Sequence, residues 1–197
     1  MALRLFNTMT RNKDEFHPLE PGHVRMYTCG PTVHDFAHIG NFRTYTFEDL
    51  LRRFLKFKGY RVTQVMNLTD IDDKTIKKSI AQNITLREYT AVYKKAFFED
   101  LDLLGIERAE YYPEATTHIP EMVEIVKKLM AKGYAYEVGG NYYFSISKFR
   151  EYGKLSHLDL SGLRAGARIA TDEYEKESVS DFALWKAWDE NDGDVFW

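Results

Sequence analysis

The apolar residues of this chain recur with two periods, and the change from one to the other marks its organisation. Residues 24–29 form a short run rich in β-formers, stopped by Gly30 and Pro31. Over about 41–58 the spacing becomes helical. Phe47, Leu50, Leu51, Phe54 and Leu55 make the expected buried stripe, with Arg52, Arg53, Lys56 and Lys58 on the other side and Gly59 as the C-cap. Residues 61–66 read as a second strand, and Asn67-Leu68-Thr69-Asp70 as the opening of the next helix, with Thr69 and Asp70 as caps. A third helix is expected over roughly 86–104, on the rhythm of Tyr89, Tyr93, Phe97, Leu101 and Leu104.

Strand, loop, helix, strand and helix in that order predict an α/β fold: a Rossmann-like unit with a parallel sheet. The texture changes after Gly105. Ile119, Met122, Val123, Val126, Leu129 and Met130 give one more amphipathic helix, ended by Gly133, and then strands at 134–138 and 141–146 flank a Gly139-Gly140 hairpin turn. The expected division is therefore 1–118 as the first half of a nucleotide-binding domain, 119–180 as a mixed α+β insertion, and 181–197 as the start of a return. The apolar close Val195-Phe196-Trp197 looks like a cut inside a structured region.

Composition narrows the class. A hydrophobic fraction of 44% suffices for a packed core, and 27 basic against 30 acidic residues neither demand nor exclude a nucleic-acid partner. One cysteine, Cys29, allows no internal disulfide, and the opening seven residues hold no leader-like apolar core. A cytoplasmic protein is expected. No run reaches about 18 apolar residues, so no membrane helix is expected.

The chemistry gathers in the loop from Cys29 to Asn41. Ligands of open α/β sheets lie beyond the carboxyl ends of the strands, beside a helix N-terminus whose N–H groups meet phosphate. His38 and Asn41 flank such a place, an imidazole donor there stabilises charge growing on phosphorus, and Gly40 lets a flat base approach the backbone. Taken alone, the quartet also describes a solvated histidine and an asparagine N-cap. Asp70, Asp72 and Asp73 lack the glycine and terminal glutamate of a calcium loop. Lys74, Lys77 and Lys78, with the basic side of the preceding helix, are candidates for nucleic-acid phosphates, though a solvated face explains them as well. Tyr111, Tyr112, Tyr142, Tyr143, Trp185 and Trp188 read as packing residues.

His38-Ile39-Gly40-Asn41 resembles the HIGH signature of class I aminoacyl-tRNA synthetases, with Asn in the last place. Tyr27 to Val33, Asn67 to Lys74, Ala165-Gly166-Ala167-Arg168 and Asp181 to Lys186 resemble the cysteinyl members of that class, in order across nearly the whole chain. The resemblance implies a ligase that joins cysteine to ATP as an adenylate, with magnesium accompanying the ATP, and passes it to tRNA(Cys). By it, Pro31, Thr32, His38, Gly40 and Asn41 bind ATP, and His38 and Asn41 stabilise the transition state. Thr69 lines the cysteine pocket with Cys29, which also gives zinc its first ligand. Zinc takes thiolate sulfur well and a hydroxyl poorly, so such a site rejects serine. Two positions depart from the family pattern: His34, where tyrosine is usual, and Phe42, where a smaller residue is common.

A monomer is expected. The family's other zinc ligands (a cysteine, a histidine and a glutamate), its Lys-Met-Ser-Lys-Ser loop and its anticodon-binding helices are expected beyond Trp197, which leaves this chain by itself inactive. Two alternatives stay open: a non-catalytic module binding nucleotide or tRNA, and the related ligase joining cysteine to an amino sugar in thiol-cofactor synthesis.

Overall fold

The computed structural model describes residues 2–157 and 181–197, so the Ala165–Arg168 block lies outside the described residues. In chain order the elements are strands β1 (Arg4–Asn7), β2 (Asn12–Glu15) and β3 (His23–Thr28), helix α1 (Ile39–Phe57), strand β4 (Arg61–Met66), helices α2 (Asp73–Ala81), α3 (Leu86–Leu103) and α4 (Ile119–Ala131), and strands β5 (Ala135–Val138), β6 (Asn141–Phe144) and β7 (Phe182–Trp185). They form two compact units, Pro18–Ile119 with Asp189–Trp197, and Met1–His17 with Pro120–Trp188.

In the first unit β3 and β4 run parallel, from His23 opposite Arg61 to Thr28 opposite Met66. Parallel neighbours need a long crossover, and α1 supplies it. The segment after α3 lies along the other edge of β4. Met66 N–H donates to the Tyr111 carbonyl at 3.0 Å and Leu68 N–H to that of Pro113 at 2.8 Å. The core beneath is built from Tyr45, Met66, Leu68, Phe97, Leu101, Ile106 and Ala109, with Phe42, Phe98 and Tyr112 packed against it.

Three expectations need correction. On α1 the stripe facing the core is Tyr45, Glu48, Arg52 and Leu55, while Phe47, Leu50 and Phe54 are exposed. Arg52, placed by periodicity on the solvent side, is only 3% exposed. Its guanidinium donates to the Gln64 side-chain carbonyl (3.1 Å), the Arg108 backbone carbonyl (2.6 Å) and Glu110 (2.5 Å), so a charge replaces an apolar residue at a buried helical position. The second correction is the start of α2. Its cap is Asp72, which accepts from Thr75 N–H at 2.8 Å. Asp70 is taken instead by Thr116, through its backbone N–H (2.9 Å) and hydroxyl (2.7 Å), and Thr69 continues the sheet. Among the aromatic residues read as packing, Tyr143 is fully buried, but Tyr111 and Trp188 are exposed.

The second unit is antiparallel. β5 and β6 form a hairpin whose turn glycines, Gly139 and Gly140, both have positive φ (+58° and +82°), the conformation a two-residue hairpin demands. β7 pairs with the far edge of β6. Phe144 sits at the centre of an aromatic cluster, stacked on Phe182 at 5.2 Å and edge-on to Phe149 at 6.1 Å. One buried carboxylate, Asp181, accepts from Ile146 N–H and the Tyr136 hydroxyl, both at 2.9 Å. β1 and β2 form a separate hairpin.

Candidate functional site

The parallel pairing continues past the ends of β3 and β4. Val33 N–H donates to the Thr69 carbonyl and Thr69 N–H to that of Pro31, both at 3.0 Å, so Thr32 and Thr69 lie side by side. This places the 29–33 segment and Thr69 together at the carboxyl ends of the strands, where open α/β sheets take ligands. Asn67 ties them. Its Oδ1 accepts from Gly30 N–H (3.2 Å) and the Tyr27 hydroxyl (3.0 Å), while its Nδ2 donates to Thr69 Oγ1 (3.1 Å). Gly30 passes so near that an added Cβ would lie 1.9 Å from the Asn67 carbonyl oxygen, which only a glycine permits. Cys29 is exposed at the lip of this turn.

His38, not Asn41, is the N-cap of α1, in extended backbone at φ −103°. Its Nδ1 accepts from Gly40 N–H at 3.0 Å, and Asn41 Oδ1 accepts from His38 N–H at 3.0 Å. A neutral imidazole whose Nδ1 accepts carries its proton on Nε2, so an exposed N–H donor is left free to turn outward at the helix start. A Cβ on Gly40 would stand 2.8 Å from the His38 ring, so glycine here makes room for the cap itself. The cap itself takes the Gly40 N–H, and the His38 carbonyl takes that of Asn41 at 2.9 Å, so what the helix start offers an anion is its dipole together with the outward His38 Nε2–H.

Residues that no motif announced hold the loop between these two places. Lys78 donates to the His34 carbonyl (3.0 Å) and to Asp35 (2.8 Å), so it is engaged by the protein itself instead of standing as a solvated contact for phosphate. That hydrogen bond holds the Asp35 carboxyl below the ordinary range, helped by the Phe36 N–H. The Tyr89 hydroxyl, in a buried side chain, donates to the His34 carbonyl at 2.7 Å, and Tyr93 meets Phe36 edge-on at 5.2 Å. Beside Cys29, burial pushes the Tyr45 phenol up to about 12, with the Glu48 and Cys29 charges adding to it. Burial also raises Glu48, against a hydrogen bond from Thr28. Sequence reasoning missed Asn67, Tyr89 and Glu48 as site residues and gave Lys78 only as a candidate for nucleic-acid phosphates; of the three, only Asn67 carried a signal, its place in the block that holds Thr69. A cavity of about 970 Å³ lies elsewhere in this unit, lined by Asp70, Lys94 and Thr116 among others and by none of Cys29, His38 or Asn41. Lys94 is already paired there with Glu114 at 3.0 Å.

Among the described residues no group of three His, Cys, Asp or Glu side chains is placed to hold a metal ion, so Cys29 offers one soft ligand without companions. No helix among them is long and apolar enough to cross a membrane.

A parallel sheet with its loops and a helix N-terminus gathered at the strand ends is the architecture of class I synthetases. Residues 15–197 match the catalytic domain of class I (C) tRNA synthetases, and the chain belongs to that family. It is 59% identical over its whole length to the "Cysteine--tRNA ligase" of Protochlamydia amoebophila and 56% identical to that of Chlamydia pneumoniae, in each case spanning 42% of the relative. The same name belongs to a relative in Brachyspira hyodysenteriae, 54% identical over 98% of the chain and covering 41% of that protein. The chain thus spans less than half the length of these relatives. A LeuRS from Agrobacterium radiobacter, solved as a ternary complex with tRNA and LeuAMS, shares the fold with a TM-score of 0.53 at 19% identity, over 67% of this chain and 18% of that one.

Proposed function

We propose that this chain is the N-terminal part of a cysteine–tRNA ligase, which activates cysteine with ATP and transfers it to tRNA(Cys). The observation that carries the proposal is the 59% identity across the entire chain to a protein of that name, with Cys29 and Thr69 at one set of strand ends and His38 at the helix that follows. In the adenylation step a carboxylate oxygen of cysteine attacks the α-phosphorus of ATP, and pyrophosphate departs with the bonding pair. His38 offers its Nε2–H to a phosphate oxygen as negative charge grows there, and the dipole of α1 supplements it. Asn41 holds the backbone of His38, and Pro31, Thr32 and Gly40 line the approach of the nucleotide.

Cys29 is the thiolate that this chain contributes to a zinc site, with the other ligands supplied from outside the described residues. Zinc, when bound there, supplies a soft Lewis acid for the sulfur of the substrate. Thr69, fixed by Asn67, lines the same pocket.

The test is cysteine-dependent exchange of pyrophosphate into ATP by the full-length protein, with zinc measured in the same sample. Cys29→Ser is expected to lose zinc and the preference for cysteine over serine. Full zinc occupancy in that variant, or no cysteine-dependent exchange in the parent protein, overturns the proposal.

A further inference from the structure

A continuous line of side-chain hydrogen bonds runs beneath the candidate site. Arg52 on α1 donates through Nη1 to Gln64 Oε1 at 3.1 Å, Gln64 Nε2 donates to Thr28 Oγ1 at 3.1 Å, and the Glu48 carboxyl, back on α1, stands beside the Thr28 hydroxyl with its Oε2 buried and taking no hydrogen bond. Arg52, Gln64 and Thr28 are 3%, 3% and 8% exposed. The direction of the line is forced. A guanidinium only donates, so Gln64 must turn its carbonyl to Arg52 and its amide to Thr28; Thr28, having accepted, has its proton left for Glu48, and an ionised carboxylate only accepts. Arg52 is fixed in turn by Glu110 and the Arg108 carbonyl.

The line joins two pieces of backbone that carry different parts of the proposed site. Thr28 is the last residue of β3 and the neighbour of Cys29. Glu48 and Arg52 belong to the helix whose first turn holds His38 and Asn41. Gln64 sits on β4, three residues before Asn67, which ties Gly30 to Thr69. We infer that Thr28, Gln64 and Glu48 are positioning residues that hold the strand end bearing Cys29 in register with the helix start bearing His38. This rests on the proposed ligase function. Buried hydrogen bonds tolerate few arrangements, and removing one member leaves its neighbours unpaired; Glu48 Oε2 and Arg52 Nε already take no hydrogen bond at the two ends of the line.

The variant that cuts the line with least change of shape is Thr28→Val in the full-length protein. The expected result is a rise of about tenfold in KM for cysteine in pyrophosphate exchange, as small displacements of a positioned group cost rate and binding steeply. KM for ATP stays within about twofold and zinc content is unchanged. Thr28→Ser, which restores the hydroxyl, returns KM for cysteine to the parent value. Should Thr28→Val fail to fold, Glu48→Gln takes its place, since it keeps shape and relieves a buried charge. It is expected to raise KM for cysteine about threefold with no fall in melting temperature. A parent protein active with cysteine, beside variants with unchanged KM values, overturns the positioning role and leaves the ligase proposal intact. Loss of both substrates' binding in proportion to a fall in melting temperature, unrescued by Thr28→Ser, also overturns it. A parent without cysteine-dependent exchange refutes the ligase proposal itself.

Discussion

The two units fill their interiors with different materials. Around the antiparallel β5–β7 sheet the buried set is small, with Ala135, Tyr143, Ser145, Ile146 and the carboxylate of Asp181, and it is flanked by a cluster of half-buried and exposed rings in which Phe144 meets Phe149, Tyr152 and Phe182. In the parallel unit, Thr28, Arg52, Gln64, Asp70, Thr75, Ser79 and Thr90 are all buried among the apolar core. Rings pack with loose directional demands, whereas buried hydrogen-bonding groups tolerate few arrangements. The difference teaches where geometry matters: the unit that holds the candidate site is the one whose interior is specified by hydrogen bonds.

The largest expected effect belongs to the site end of that comparison. His38→Ala in the full-length protein should slow cysteine-dependent pyrophosphate exchange by about 10²–10³-fold, the loss typical of a donor aimed at developing charge. The same variant loses the helix cap, a cost of about 1 kcal/mol in thermal or urea unfolding. A rate loss no larger than the fraction unfolded explains would reduce His38 to a cap.

Next come paired substitutions, one in each unit. Gly30→Ala forces a methyl group to within 1.9 Å of the Asn67 carbonyl oxygen, and should destabilise by about 3 kcal/mol while pulling Thr69 out of place. Asp181→Ala removes the acceptor of Ile146 N–H and one hydrogen bond of the Tyr136 hydroxyl, for about 1–3 kcal/mol. The two should separate in exchange activity measured per folded molecule, with Gly30→Ala impaired and Asp181→Ala unchanged. Equal activities would erase the distinction between a unit built for stability and one built for geometry.

How much of this was legible beforehand depends on how far apart the partners lie. The strand at 61–66, the glycine hairpin and the His38–Asn41 signature were readable because each is written in consecutive residues. Arg52 was not. A helical wheel places a charge outward, and what brings it inward is Gln64, 12 residues on, and Glu110, 58 residues on. The start of α2 was read too early because Asp70 and Asp72 are equally good caps by type. Thr116, from beyond α3, settles the choice by claiming Asp70. Lys78 likewise shows nothing in its own segment of the loop it holds, since Asp35 is 43 positions away.

The smallest effect tests the buried polar line through its acidic end. Burial raises Glu48 above the ordinary 4.5, with the Thr28 hydrogen bond opposing the shift. A carboxyl whose folded value is raised binds its proton more tightly in the folded state than in the unfolded chain. Stability from this group is therefore fullest below about 4.5 and declines as pH rises through the raised value, becoming a constant penalty above it. Glu48→Gln has nothing to titrate, so its urea midpoint relative to the parent protein should climb between about pH 4 and the raised value and then level off. The magnitude is modest because the side chain keeps partial contact with water. A flat difference across that range would mean Glu48 is as well solvated as an ordinary surface glutamate, and the hydrogen-bonded line would then end at Thr28.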